Sequence, residues 1–266
     1  MNLFTPRPRA GHEPPWRTSR GRRKLADGAI IAMCLLIPGV VWAASTDYFG
    51  PDAHQPRPVV APSLQREHIS IIGDSFTGGS DEGGNGRANW TEQIRPLLRD
   101  DSHITGLTVV GLGGSGYVSK AFTGRAFKDA VEESVTEDSD VVLIFGSIND
   151  RNYAGQVASA ARDVYERVEE LAPEAQLIVV GPQIPYAEPT EQDIGLAEEV
   201  RSAAEGHADF FVDPIADDWF DDERVIGADG NHPTDEGHKL MAERMAPVLR
   251  VALDARHASE SPRSGE

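Results

Sequence analysis

A serine at the end of an apolar run is the first candidate for chemistry in this sequence. The run Ile69–Ile72 is short and β-branched, which predicts a buried strand, and Gly73 allows the chain to leave that strand sharply before Ser75. Open α/β sheets bind their ligands beyond the carboxyl ends of the strands. Ser75 could therefore be a nucleophile or only a helix cap, and the first role requires a base and oxyanion donors from elsewhere in the chain.

An aspartate and a histidine three residues apart offer such a base. On a turn, Asp229 can reach one ring nitrogen of His232, which fixes the tautomer of the imidazole and leaves the second nitrogen to face a nucleophile. The nearby Asp235 and His238 could instead suggest a metal site, but they lack the two-histidine i, i+4 pair of such sites. We therefore expect an acid–base pair at Asp229 and His232, and no metal.

Two further strand ends could supply hydrogen-bond donors to the same space. Asn149 follows the apolar run 141–145, and its side chain could either donate into a site or cap the next helix. The glycine-rich segment 111–116 follows the run 107–110 and formally matches a dinucleotide fingerprint. The next strand, however, does not end in the acid that a dinucleotide site requires. Glycines at such a turn can instead bring backbone N–H groups close to a developing anion.

These strand ends belong to a regular alternation of strand-like and helix-like segments. The strand-like runs are 69–72, 107–110, 141–145, 177–180 and 210–212, and the segments with helical spacing are 90–98, 121–135, 154–171, 191–204 and 236–251. The alternation predicts a parallel five-stranded sheet with helices on both faces, in a three-layer α/β domain. The glycine-rich segment 78–86, beside Ser75, is expected to be a mobile loop that shapes a substrate mouth or only connects elements.

Length and charge limit the class of protein and its partners. The chain has 266 residues, which allows one sizeable core with appendages. The first 44 residues hold seven Lys or Arg against two acids, whereas the rest holds 18 against 41, a net charge of −23. So acidic a surface disfavours nucleic acid and anionic lipid headgroups as partners. The single cysteine, Cys34, lies in the N-terminal apolar stretch, which leaves the remaining domain without a disulfide.

The N-terminal region has the order of features found in exported proteins. Residues 1–28 are basic and rich in Pro and Arg, which predicts disorder, and residues 29–44 form an uncharged apolar run. We interpret that run as a signal peptide or a membrane anchor helix, and residues 45–65 as a Pro-rich linker. The folded domain is then expected at 66–255, with a disordered tail at 256–266. These features predict an extracytoplasmic protein, secreted or anchored to the cell membrane.

Four of these stretches together resemble the SGNH subgroup of the GDSL hydrolase family. They are Gly73-Asp74-Ser75, the glycines from Gly111 to Gly116, Asn149-Asp150, and Asp229 with His232, in the order of the family's blocks. The resemblance implies a flavodoxin-like sheet of strand order 2-1-3-4-5. Two positions depart from the family pattern, Gly111 where an Asn is usual and Ser147 where a Gly is usual. The first departure leaves it open whether Gly114 or Gly116 supplies a backbone N–H to the site.

The resemblance also implies a role for each matched residue. Ser75 would be the nucleophile, His232 the base that takes its proton, and Asp229 the acid that orients the histidine. The backbone N–H groups of Ser75 and Gly116 and the side chain of Asn149 would form the oxyanion hole.

The expected activity is that of an exported serine ester hydrolase with no metal or organic cofactor. It would form an acyl-enzyme on Ser75 and act on small-molecule or carbohydrate esters, with short acyl groups such as acetyl as the first expectation. The alternatives are a lipase of lipophilic esters, an acyltransferase with the same triad, and an inactive surface module that binds glycans. Phe76, Tyr117 and Arg151 are candidates for the substrate mouth. The protein is expected to be a monomer that meets a membrane only through an uncleaved N-terminal segment.

Overall fold

Five parallel strands form one sheet at the centre of the domain. The computed structural model describes residues 65–99, 103–185 and 188–260. The strands are β1 (Gln65–Gly73), β2 (His103–Gly111), β3 (Val141–Phe145), β4 (Gln176–Val180) and β5 (Phe210–Val212). Their order across the sheet is β2-β1-β3-β4-β5, and every neighbouring pair is parallel. The predicted parallel sheet and its strand order are confirmed.

Helices cover both faces of this sheet. They are α1 (Ser75–Gly78), α2 (Trp90–Leu98), α3 (Phe127–Ser134), α4 (Val157–Leu171), α5 (Glu191–Ala204) and α6 (Asp235–Glu260). Short 3₁₀ helices lie at Gly86–Ala88, Ile148–Tyr153 and Glu223–Val225. The result is the three-layer α/β arrangement expected from the alternation of segments.

Alternate strand residues divide the core between the two faces. In β1, Ile69 and Ile71 belong to the apolar cluster formed with α2 and α6, whereas Ile72 belongs to the cluster formed with α3, α4 and α5. Side chains of a strand point to opposite faces in turn, so a sheet covered on both faces needs apolar residues at every position. This is why the central strands appear in the sequence as unbroken apolar runs.

The carboxyl ends of β1, β2 and β3 lie side by side. Gly73 of β1 is paired with Gly111 of β2 and with Phe145 of β3. The loops that follow these three strands therefore start at the same level of the sheet, and their side chains can meet at one edge.

The segment before α3 is not helical, although its spacing predicts a helix from residue 121. The Ala121 N–H donates to the Arg125 carbonyl at 2.8 Å, so residues 121–125 close a turn. The helix begins only after Ala126, whose N–H donates to Asp129 Oδ2 at 2.8 Å. Ala121 is buried all the same. The neighbouring Phe122 is fully exposed. The apolar spacing of this segment therefore predicted its conformation wrongly.

Helix α6 continues beyond its predicted end at residue 251. Residues 256–260, assigned from the sequence to a disordered tail, are part of this helix. Leu253 is buried on the sheet side, and His257 Nε2 lies 3.2 Å from Oε1 of the buried Glu67. These contacts hold the end of α6 against the domain.

The predicted N-terminal segments 1–28 and 29–44 lie outside the described residues, as do the linker up to residue 64 and residues 261–266. Within 65–99, 103–185 and 188–260, no helix combines the length and the apolar character needed to cross a membrane.

Candidate active site

Ser75 begins a tight helical turn directly after β1. Gly73 is required at the end of the strand because a Cβ there would overlap the side chain of Thr77. Asp74 caps the turn, since its Oδ1 accepts the Phe76 N–H at 2.9 Å and its carbonyl accepts the Thr77 N–H at 3.1 Å. The turn holds Ser75 half-buried at the carboxyl edge of the sheet.

The Ser75 hydroxyl, the His232 imidazole and the Asp229 carboxylate form a hydrogen-bonded row. Ser75 Oγ lies 3.0 Å from His232 Nε2, and His232 Nδ1 lies 2.6 Å from Asp229 Oδ2. An ionised carboxylate can only accept, so Nδ1 donates to Asp229 and Nε2 is left to accept from the serine hydroxyl. This is the tautomer that can take up the serine proton. The structure thus brings together three residues that the sequence singled out far apart in the chain.

Asp229 and His232 lie on a short hairpin in front of α6, which we call the Asp–His hairpin (residues 226–233). An antiparallel bridge between Ile226 and Pro233 forms its base, and the Gly227 N–H donates to the His232 carbonyl at 2.8 Å. Asp229 Oδ1 accepts the His232 N–H at 2.9 Å. The hydrogen bond from the His232 ring, supported by backbone N–H groups, lowers the pKa of Asp229 to about 2. The carboxylate is therefore ionised at neutral pH.

The amide of Asn149 joins the loops after β1, β2 and β3. Its Nδ2 lies 2.9 Å from the Ser115 carbonyl, 2.9 Å from Ser147 Oγ and 3.4 Å from Asp74 Oδ2. Ser147 Oγ also accepts the Asn149 backbone N–H at 3.0 Å, so Ser147 and not Asn149 caps the 3₁₀ helix. Two amide hydrogens thus face three acceptors, and an oxygen bound near Ser75 would compete with them for the amide.

The prediction that Gly116 lines an oxyanion hole does not agree with the structure. The Gly116 N–H donates to the Ser119 carbonyl at 2.9 Å. A Cβ at Gly116 would overlap the carboxylate of Asp150, which accepts the N–H groups of the next three residues at 2.6 to 3.0 Å. Gly116 is glycine because the chain winds around this carboxylate. Instead, Gly113 lies beside the nucleophile, since a Cβ there would be 3.9 Å from Ser75 Cβ.

Asp74 is completely buried directly before the nucleophile. Burial raises its pKa to about 6, although hydrogen bonds from the Ser147 hydroxyl and the Phe76 N–H oppose the rise. The chain passes close by at Gly146, where a Cβ would lie 3.1 Å from Asp74 Oδ2 and 3.3 Å from Gln183 Nε2. The Asp74 side chain is therefore an ionised carboxylate at pH 7 and an uncharged carboxyl group below about pH 6.

The three residues predicted to form a substrate mouth have other roles. Phe76 is fully buried in the core. Tyr117 is also buried and accepts a hydrogen bond from the Tyr165 hydroxyl at 2.7 Å. Arg151 Nε donates to Oδ1 of the buried Asp193 at 2.7 Å, which binds the 3₁₀ helix after β3 to the first turn of α5. A polar or aromatic residue next to a motif does not reveal in which direction its side chain points.

Comparison with known proteins identifies the family. The sequence pattern of the GDSL-like lipase/acylhydrolase family matches residues 71–240, well over half of the chain. The chain belongs to that family. It is a serine ester hydrolase, as the resemblance implied.

Relatives of this GDSL hydrolase agree in sequence and in fold. A GDSL lipase of Mycobacterium tuberculosis is 34% identical over 190 residues, which cover 70% of this chain and 82% of the relative. The psychrotrophic esterase EstA of Pseudoalteromonas sp. superposes with a TM-score of 0.55 at 14% identity, over 71% of this chain and 99% of that one. A family 2 carbohydrate esterase of Corynascus thermopiles (Myceliophthora fergusii) gives 0.54 at 18% identity, over 71% and 67%. At such identities the two structural matches show the shared fold.

Two acids that organise the GDSL hydrolase site were not predicted to do so. The Asp150 carboxylate holds the backbone of residues 117–119. The position of Asp150 directly after Asn149 was the sequence feature that could have indicated this role. Glu82 accepts the Ala228 N–H at 2.9 Å, and nothing in the sequence distinguishes it from other acids of the chain.

The described part of the GDSL hydrolase contains no group of three or more His, Cys, Asp or Glu side chains placed to hold a metal ion. His238, weighed as a ligand from the sequence, is buried, and its Nδ1 accepts the Trp90 N–H at 3.4 Å. Burial lowers the pKa of His238 to about 4, against an opposing effect of Asp235.

Proposed function

We propose that Ser75 is the nucleophile of ester hydrolysis, with His232 as general base and Asp229 as the acid that stabilises the imidazolium. The observation that carries this proposal is the row of two hydrogen bonds, 3.0 Å from Ser75 to His232 and 2.6 Å from His232 to Asp229. Ser75 Oγ attacks the ester carbonyl carbon while Nε2 takes its proton. The bond from that carbon to the alcohol oxygen then breaks, and the alcohol leaves with the proton. Water attacks the acyl-enzyme with His232 as base, which releases the acid and restores Ser75.

The oxyanion of each tetrahedral intermediate would lie between Ser75 and the loops after β2 and β3. The proposed donors are the Ser75 N–H, the Asn149 amide, and a backbone N–H of Gly113 or Gly114. Both of these glycines are exposed and adjacent in the chain, and a Cβ at Gly113 would lie 3.9 Å from Ser75 Cβ. The N–H of Gly116, in contrast, is already engaged. Of the two glycines that the sequence left open, we therefore favour Gly114.

Esters with short acyl groups, such as acetyl on a carbohydrate or a small alcohol, are the first candidate substrates. Polar groups surround the proposed base: Asn231 Nδ2 lies 3.5 Å from His232 Nε2, and Asp229 and Gly230 are exposed. Such an environment suits a hydrophilic alcohol better than a long chain.

A lipophilic ester is the second candidate. A pocket of about 190 Å³ lies among the loops after β4 and β5, and its lining combines apolar side chains with two aspartates: Ile184, Pro189, Pro214, Ile215, Trp219 and Phe220, with Asp218 and Asp221. Phe220 packs edge-to-face on Phe76, the neighbour of Ser75, with ring centres 5.5 Å apart. The relative from Mycobacterium tuberculosis is named a lipase. An acyltransferase would use the same triad with another acceptor in place of water.

We further propose that the enzyme is exported and acts as a monomer outside the cytoplasmic membrane. The support lies in the sequence, where the basic residues 20–24 precede the uncharged apolar run 29–44.

Substitutions at Ser75 and His232 test the mechanism. The full-length protein should hydrolyse an activated short-chain ester, and Ser75→Ala or His232→Ala should lose nearly all of this activity. Ser259→Ala and His207→Ala, outside the site, are matched controls and should keep it. Undiminished turnover in either site variant would rule out the mechanism. A fluorophosphonate probe should label Ser75, and folded wild-type protein that stays unlabelled would favour an inactive glycan-binding module.

The length of the acyl group distinguishes the two substrate classes. Rates should be compared along a series of esters of one alcohol, from acetyl to palmitoyl. A maximum at acetyl supports the first candidate, and a rate that increases with chain length supports the second.

A further inference from the structure

The tip of the Asp–His hairpin, residues 228–230, is exposed, whereas at its base Ile226 packs on the core and Pro233 is buried. The side chain of Asp229 is 36% exposed and that of His232 is 25% exposed, and Gly230 at the tip is exposed as well. The orientation of the histidine toward Ser75 therefore depends on specific contacts between the hairpin and the rest of the domain.

One such contact comes from the glycine-rich segment 79–86, which follows α1. Glu82 Oε2 accepts the Ala228 N–H at 2.9 Å. The same side chain lies over Gly227, where a Cβ would overlap it. Ala228 directly precedes Asp229, so Glu82 fixes the backbone one residue before the acid of the row.

The segment that carries Glu82 also rests on the start of α6, just beyond His232. The Gly84 N–H donates to Asp235 Oδ1 at 2.9 Å. A Cβ at Gly83 would overlap the backbone at Asp235, and a Cβ at Gly84 would overlap the His238 ring. Segment 79–86 therefore contacts the Asp–His hairpin itself, at Gly227 and Ala228, and the chain just after it, which differs from the mobile connection expected from its glycine content.

We propose that Glu82 is a positioning residue for the Asp–His hairpin and that segment 79–86 acts as a clamp on it. The proposal rests on the catalytic roles proposed above for Asp229 and His232. A carboxylate that accepts a backbone N–H makes a charge-assisted hydrogen bond, stronger than one between neutral groups. Displacement of a catalytic group by about 1 Å can lower a rate about 10²-fold. Glu82 acts through the position of the imidazole, without contact with the reacting atoms.

Four variants of the full-length protein test the clamp. Glu82→Ala should lower kcat about ten- to a hundredfold with little change in KM, because the imidazole is displaced while the substrate contacts remain. Glu82→Gln retains an acceptor oxygen and should recover most of the activity. Gly227→Ala leaves Glu82 in the chain but pushes it away, and should reproduce the loss. The double variant Glu82→Ala/Gly227→Ala should lose little more than either single variant, since both remove one contact.

Asp81→Ala is the matched control, because Asp81 is an exposed acid of the same segment. It should keep kcat within about twofold, whereas equal losses in Asp81→Ala and Glu82→Ala would assign the effect to charge and overturn the proposal. A kcat for Glu82→Ala within about threefold of wild type would overturn it too. So would a Glu82→Gln variant as impaired as Glu82→Ala.

A spectroscopic signature separates positioning from general loss of structure. The far-downfield proton resonance of the His232 Nδ1–H, hydrogen-bonded to Asp229, should broaden or vanish in Glu82→Ala and return in Glu82→Gln, with the thermal midpoint almost unchanged. An unaltered resonance in Glu82→Ala would contradict the clamp. This signal does not depend on turnover, so failure of the clamp is distinguishable from failure of the proposed mechanism, which Ser75→Ala tests. Should Glu82→Ala not fold, Glu82→Gln and Gly227→Ala decide between the same outcomes.

Discussion

The Asn149 amide is held by protein acceptors from three different loops. Its Nδ2 faces the Ser115 carbonyl, Ser147 Oγ and Asp74 Oδ2 within 3.4 Å. Donors that are fixed before the reaction need no reorganisation when charge develops, which makes such preorganisation effective in catalysis. A tetrahedral intermediate would add a charged acceptor, and a charged acceptor binds an N–H more strongly than a carbonyl or hydroxyl does. The same amide can therefore serve both the loops and the intermediate.

Replacement of Asn149 measures how much its amide stabilises the tetrahedral intermediate. Asn149→Ala should lower kcat about 10²- to 10³-fold, the usual effect of removing one oxyanion donor. Ser147→Ala removes one anchor of the amide but leaves the amide itself, so its loss should be smaller. For both variants, kcat, KM and the midpoint of thermal unfolding should be measured. A fall below about threefold in Asn149→Ala, together with a lower midpoint, would show that the amide only joins the loops.

Residues whose role depends on a short local pattern could be predicted from the sequence. Ser75 follows a strand-like run and Asp229 and His232 are three residues apart, and the resemblance to the GDSL family implied that they share one site. The state of the Gly116 N–H could not be predicted in this way. It depends on how the chain folds back around Asp150, 34 positions further along, and no local pattern contains that contact.

At the scale of elements, glycine is needed at different positions of segment 79–86 for different physical reasons. Gly84 has a φ of 74° and packs directly on the His238 ring. Gly86 has a φ of 58°, but open space surrounds the position where its Cβ would be. Both adopt the left-handed conformation that favours glycine, and only Gly84 is needed for close packing as well.

This difference predicts unequal effects on stability. Gly86→Ala should lower the free energy of unfolding by about 1 kcal/mol, the usual penalty for alanine in a left-handed conformation. Gly84→Ala should lose about 1–3 kcal/mol more, because its Cβ has to displace a buried ring. Urea denaturation of both variants at pH 8 measures the two losses. If the losses are equal, the segment does not pack on His238 as described.

Elements whose ends are marked by capping residues in the sequence were predicted closely. Elements whose ends depend on pairing with another strand were not. Helix α5 has its predicted bounds because Thr190 and Asp193 cap each other: the Thr190 N–H donates to Asp193 Oδ2 at 2.9 Å. Strand β1 is longer than its apolar run and begins at Gln65, which pairs with His103 of β2. That pairing has no apolar signature. The glycine-rich segment 79–86 was expected to be mobile because glycine content alone cannot distinguish flexibility from close packing.

At the scale of the whole molecule, two buried ionisable groups affect stability in opposite directions as pH falls. His238 has a pKa of about 4 in the folded protein and 6.5 ordinarily, so between these values the unfolded chain binds a proton that the folded one does not. Its contribution to stability is complete above pH 6.5 and is lost as pH falls to 4. Asp74 has a folded pKa of about 6 and an ordinary value of 3.8. The folded protein takes up that proton first, so stability is gained as pH falls through 6, and the two effects largely cancel.

Replacing His238 or Asp74 should reveal the effect of the remaining group on the pH dependence of stability. His238→Asn should lower the free energy of unfolding at every pH through lost packing. Its difference from wild type in this free energy should narrow by up to roughly 3 kcal/mol between pH 7 and pH 4, because only the wild type carries the penalty for protonating a buried histidine. Urea denaturation at half-unit steps of pH measures this difference. Met241→Ala, a buried apolar position in the same helix, is the control and should give a constant difference. Asp74→Asn should show the opposite trend, since only the loss from His238 remains. A constant difference for His238→Asn would mean that this histidine titrates alike in the folded and unfolded protein, and that the packing of segment 79–86 on it does not exclude water.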